Sequence, residues 1–98
     1  MANTIVWTKR ASNRFNDIAE YLNEEWGEKV AQSFAEQTYG IIETLSEFPE
    51  LDPVENEKRG IRGFLLTKQN KLFYRYTKHR LIILNIFDNR QHPNQKRY

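Results

Sequence analysis

The apolar positions of this chain change spacing in a fixed order, from strand to helix and back to strand. Thr4 to Trp7 is a short β-branched and aromatic run, the composition of a strand, and Thr8 follows as a natural helix cap. Phe15, Ile18, Ala19, Leu22 and Trp26 then recur on one helical face, with Asn16, Asp17, Glu20, Asn23 and Glu24 on the other. Gly27 marks the stop. A second amphipathic helix is expected from about Glu28 to Phe48, burying Ala31, Phe34, Ala35, Thr38, Ile41, Ile42 and Leu45 and ended by Pro49. One residue between two helices predicts a hairpin that lays a common apolar face on a sheet.

Pro49 to Gly60 has no period and reads as a loop. Three strands are expected after it: Ile61 to Thr67, Lys71 to Tyr76 and Arg80 to Phe87. The turns near Gln69-Asn70 and Lys78-His79 are short enough to require antiparallel hairpins. The last strand is almost continuously apolar, which places it inside the sheet. The strand before it alternates, Leu72, Tyr74 and Tyr76 against Lys71, Phe73 and Arg75, so one side meets the helices and the other offers cations and aromatics. The expected fold is α+β, a small antiparallel sheet packed against an N-terminal helical hairpin, in the order β-α-α-β-β-β. Ninety-eight residues suffice for one such domain, with residues 89–98 as a basic C-terminal tail.

Charge adds a polarity to this layout. Residues 1–57 hold four bases and twelve acids, whereas residues 58–98 hold eleven bases and Asp88 as the one acid, so the net formal charge of +2 conceals a dipole. An acidic helical layer over a basic sheet and tail prepares the molecule for a polyanion or for a very acidic protein. The chain has no cysteine, and His79 and His92 are its two histidines, which argues against disulfides and against a metal site or other cofactor. With no signal-like N-terminus and no apolar run of membrane-spanning length, a cytoplasmic protein without a membrane partner is expected.

The basic residues Arg62, Lys68, Lys71, Arg75, Arg90, Lys96 and Arg97, interleaved with Phe73, Tyr74, Tyr76 and Tyr98, could bind phosphates and stack on unpaired bases. Lysines on a sheet face also serve simply to keep an edge from aggregating. Metal-free RNA cleavage needs a proton acceptor for the 2′-hydroxyl, cations for the phosphate and a proton donor for the leaving oxygen. His92 has the proton chemistry for both transfers near neutrality, and Pro93 biases its backbone towards an extended form. His79, in a predicted turn, reads as a solvated residue, and the helical pair Glu24 and Glu28 as a solvated face.

The stretches Val6-Trp-Thr-Lys-Arg-Ala, Ile18-Ala-Glu-Tyr-Leu-Asn-Glu-Glu-Trp26, Phe48-Pro-Glu-Leu51, Gly60-Ile-Arg, Leu66-Thr-Lys-Gln-Asn-Lys-Leu-Phe-Tyr-Arg75 and Ile86-Phe-Asp-Asn-Arg-Gln-His-Pro93 together resemble the RelE/ParE superfamily of toxins from bacterial type II toxin-antitoxin systems. The helices are more similar to the ParE-like branch. The resemblance implies a toxin neutralised by a cognate antitoxin protein from the same operon. RelE-type members cleave mRNA in the ribosomal A site and ParE-type members inhibit DNA gyrase, so the expected partners beyond the antitoxin are the ribosome and mRNA, with DNA gyrase as the alternative.

Ribosome-dependent mRNA cleavage is the leading expectation, gyrase inhibition the alternative, and a non-catalytic RNA-binding module a third reading. By resemblance, Lys71 falls where RelE-type nucleases carry an arginine on the scissile phosphate. Arg90 and His92 fall where relatives place catalytic groups. These three are the expected catalytic residues of a metal-independent endoribonuclease, with Arg62, Lys68, Arg75, Lys96, Arg97 and Tyr98 expected to bind nucleic acid. Phe64, Leu65 and Leu66 depart from the alternating lysines of RelE.

Overall fold

A computed structural model describes residues 3–51 and 54–88. Its elements are β1 (Thr4–Trp7), α1 (Lys9–Trp26), α2 (Glu28–Glu47), β2 (Val54–Asn56), β3 (Ile61–Leu65), β4 (Asn70–Tyr76) and β5 (Arg80–Asp88). The class is α+β, as expected: a helical hairpin precedes the hairpin-linked strands and packs on one face of their sheet. The sheet order is β1-β5-β4-β3-β2, so β5 is an interior strand. β3, β4 and β5 pair antiparallel, and β1 runs parallel to β5, which makes the sheet mixed.

Beyond shifts of one or two residues at element ends, two features differ from the sequence reading. The segment from Pro49 to Gly60 is not all loop, because Val54–Asn56 forms β2 against β3. Three residues with an irregular register carry no periodic signal, and pairing with a formed neighbour rather than propensity makes them a strand. Trp26 is 69% exposed and not part of the buried stripe, since it is the last residue of α1 and the hairpin turns at the next residue.

The turn itself is Gly27, with φ 96° and ψ 170°, a conformation that in practice only glycine holds. Ala11, Phe15, Phe34, Ile42 and Leu45 from the helices meet Leu66, Leu72, Tyr74, Leu81, Ile83 and Ile86 from the sheet side. Phe15 stacks on Phe34 at 5.6 Å and meets Trp7 edge-on at 5.5 Å, pairs worth about 1 kcal/mol each beyond their buried area.

One irregularity in β5 decides which residues face that core. Phe73 pairs with Asn85 and Tyr74 with Ile83, leaving Leu84 as an extra residue in the strand. The carbonyls of Ile83 and Leu84 are met by the Thr8 hydroxyl at 2.9 and 3.0 Å, one proton serving both, while the same oxygen accepts the Ala11 N–H and caps α1. The first helix is thereby anchored at the bulge.

Candidate functional site

Strand register sorts the predicted site residues. Side chains alternate along β4, and directly opposite partners share a face. Leu72 and Tyr74 point into the helix-covered core. Lys71, Phe73 and Arg75 therefore lie on the face without helices, as the alternation predicts, opposite Leu65, Gly63 and, on β5, Phe87, Asn85 and Ile82. Lys71 and Arg75 stand four strand residues apart, roughly 13 Å. Arg75 is exposed and Lys71 half-buried, its Nζ 5.8 Å from the Phe73 ring centroid. Such a contact is worth about 0.5–1 kcal/mol near a surface.

Among the described residues, Tyr76 is the one ring of the expected aromatic platform that stays accessible. Phe73 is 1% exposed and Tyr74 is fully buried, so neither ring can stack on a base without displacing what covers it. Tyr76 remains accessible, but it shares the face of Tyr74 and carries the Arg62 guanidinium 5.5 Å from its ring centroid.

Arg62 pairs with Tyr74 and so faces the helix side, not the side of Lys71. Its Nη1 also donates a long 3.4 Å bond to the Glu50 carbonyl. Lys68 is exposed in the turn between β3 and β4. Of the predicted site cations, the four among the described residues thus occupy three separate places: Lys71 and Arg75 together, Arg62 behind them, and Lys68 at the strand ends. Arg90, His92, Lys96, Arg97 and Tyr98 lie outside the described residues, as does the whole of the expected tail. Among the described residues no cluster of His, Cys, Asp and Glu could hold a metal ion, and no helix is long and apolar enough to cross a membrane.

The structure also shows a feature that periodicity did not reveal. A cleft of about 600 Å³ opens between α1 and the β3–β4 turn. Ile18, Leu22, Phe34 and Ile86 line it from the helices and β5, and the exposed rings of Tyr21 and Trp26 stand at it. The turn side is organised by Thr67, whose hydroxyl oxygen accepts the N–H groups of Gln69 and Asn70 and the Asn70 carboxamide. Gln37 secures the turn from α2 by donating to the Leu66 carbonyl at 3.1 Å. The sequence reading assigns Trp26 to the buried stripe and so gives no pointer to this cleft.

The family model of the ParE toxin of type II toxin-antitoxin system, parDE, matches residues 5–93. Among solved structures, the chain is similar to one described as the chromosomal ParDE TA system from P. aeruginosa, with a TM-score of 0.73 and 17% identity over 89% of this chain and 96% of that one. It is also similar to a YoeB/ParE toxin from Agrobacterium tumefaciens, with a TM-score of 0.61 and 16% identity over 87% of this chain and 96% of that one. At these identities the two structures speak for the shared fold. No curated protein sequence matches the chain.

Proposed function

The chain belongs to the ParE toxins of type II toxin-antitoxin systems, within the RelE/ParE superfamily, and on that premise we propose that it arrests growth by inhibiting DNA gyrase. Membership in a two-component system implies a cognate antitoxin protein as its partner. The choice of gyrase over mRNA is supported by one observation among the described residues, that Arg62 and Lys68 stand apart from each other and from the pair Lys71 and Arg75. Phosphoryl transfer without a metal requires several cations within contact distance of one phosphate. A face held by Phe73 beneath Lys71, with Leu65 exposed beside it, is better suited to a protein surface than to a scissile phosphate.

The test is a supercoiling reaction with purified gyrase and relaxed plasmid, run beside a reconstituted translation reaction whose mRNA ends are mapped by primer extension. Loss of supercoiling with intact mRNA is the expected result. New ends at A-site codons that require ribosomes, with gyrase unaffected, would overturn it. That opposite outcome is the second reading, ribosome-dependent mRNA cleavage, supported in the sequence by Lys71, Arg90 and His92 as reacting groups and by Arg62, Lys68, Arg75, Lys96, Arg97 and Tyr98 as cations and a ring for RNA. RNA binding without cleavage or gyrase inhibition would leave the non-catalytic module.

A further inference from the structure

The cleft beside α1 is lined in part by Asn70, a side chain with an unmet chemical need. Asn70 is 8% exposed, and its Oδ1 is buried without a hydrogen-bond partner among the described residues, although its Nδ2 donates to Thr67 at 3.1 Å. An orphaned buried acceptor costs about 1–3 kcal/mol and requires an explanation. Turning the carboxamide over would exchange an orphaned acceptor for an orphaned donor, so the need for an outside partner is independent of its orientation. Asp17, also lining the cleft, forms no ion pair among the described residues.

We propose that this cleft binds a small planar nitrogen heterocycle carrying an amino group, the chemical class of the nucleobases, as the neutral base or nucleoside. About 600 Å³ lies within the range of small-molecule sites, roughly 300–1,000 Å³. The rings of Tyr21 and Trp26 offer flat surfaces that are exposed, in contrast to the buried rings of the sheet. Leu22 and Phe34 give an apolar wall, and the Asn70 carboxamide is complementary to an edge that presents an N–H donor beside a ring nitrogen.

Charge selects the neutral form over the phosphorylated one. α1 and α2 carry Asp17, Glu20, Glu24, Glu25, Glu28, Glu36, Glu43 and Glu47 against Lys9, Arg10, Arg14 and Lys29, so a phosphate brought to this layer meets a net negative field. Arg14 at the cleft gives one local cation, which makes the preference for nucleoside over nucleotide a measurable quantity.

The experiment titrates the full chain with adenosine and follows the Trp26 indole and Asn70 carboxamide signals by two-dimensional NMR, with adenosine monophosphate and phenol as comparison probes. Saturable shifts of both signals are expected, with adenosine binding tighter than either comparison. Trp26→Ala, an exposed position whose loss leaves the core intact, and Asn70→Ser should each weaken adenosine by about tenfold, the weight of one lost stacking or hydrogen-bonding contact.

Absence of saturable shifts up to the solubility of adenosine would overturn the proposal, leaving Oδ1 to a buried water. Equal affinity for phenol, or binding unchanged in Asn70→Ser, would also overturn it by reducing the cleft to a non-selective apolar groove. The readout does not involve growth, gyrase or ribosomes, so its failure leaves the toxin reading standing, and failure of that reading leaves this one standing.

Discussion

The Tyr74 hydroxyl donates a 2.8 Å hydrogen bond to the Pro49 carbonyl in the interior, joining residues 25 apart. Tyr74 is central to β4 and Pro49 follows the end of α2, so the bond ties the helical layer to the sheet where the chain leaves the hairpin. Tyr74→Phe keeps the ring and strands a buried carbonyl. The expected loss is about 1–2 kcal/mol of unfolding free energy. Urea denaturation at constant m-value would show it, and an unchanged midpoint would mean that water replaces the hydroxyl.

Thr8 closes the other end of the same layer contact. Its hydroxyl caps α1 and donates to the carbonyls at the β5 bulge. Thr8→Ser retains that oxygen and should stay within about 0.5 kcal/mol of the parent, whereas Thr8→Val removes both functions and should cost about 2 kcal/mol. The pair is compared by thermal and urea unfolding. A loss in Thr8→Ser with none in Thr8→Val would assign the effect to the γ-methyl rather than to the hydroxyl.

Much of this architecture is legible from spacing. The helices, their shared apolar face, the stop at Gly27 and the assignment of Lys71, Phe73 and Arg75 to one side of β4 all follow from periods of 3.6 and 2. What period cannot show is register and cover. Strict alternation in β5 would turn Asn85 into the core with Leu81 and Ile83, yet the extra residue at Leu84 moves Ile86 there and rotates Asn85 away. Likewise, alternation places Phe73 opposite the helices but does not reveal that it is buried there. Arg62 belongs with Lys71 by composition and is separated from it by a single step of register. The cleft at Asn70 depends on the junction of a helix and a turn distant in sequence, for which no local pattern exists.

Gly27 tests whether a backbone angle or packing room limits the hairpin. A methyl group at Gly27 would meet no atom within 4 Å, so steric contact adds nothing, but φ 96° with ψ 170° is unfavourable for any L side chain. Gly27→Ala should therefore destabilise by about 1–3 kcal/mol. Gly40, mid-helix in α2 and equally open, supplies the control: Gly40→Ala should stabilise by about 0.5–1 kcal/mol. Opposite signs in the two variants would confirm that conformation decides both. A neutral Gly27→Ala would mean that the two-helix junction relaxes to another turn.

His92 separates the two toxin mechanisms by chemistry rather than by location. If the chain cuts RNA with His92 transferring a proton, His92→Ala removes a general acid or base worth about 10²–10⁴ in rate, and growth arrest on induction should vanish. Gyrase inhibition consumes no such proton transfer, so under the function proposed above His92→Ala should arrest growth as fully as the parent at equal expression. Arg90→Ala is the companion, because a cation can serve binding in either mechanism: its loss alone speaks for electrostatic attachment, and its loss together with His92→Ala for phosphodiester chemistry. Measured as colony counts after induction, with the cleaved or intact mRNA of the same cultures mapped in parallel, persistence of arrest in His92→Ala with intact mRNA supports the gyrase mechanism. Relief in both variants, with cleavage lost, would replace it with the nuclease.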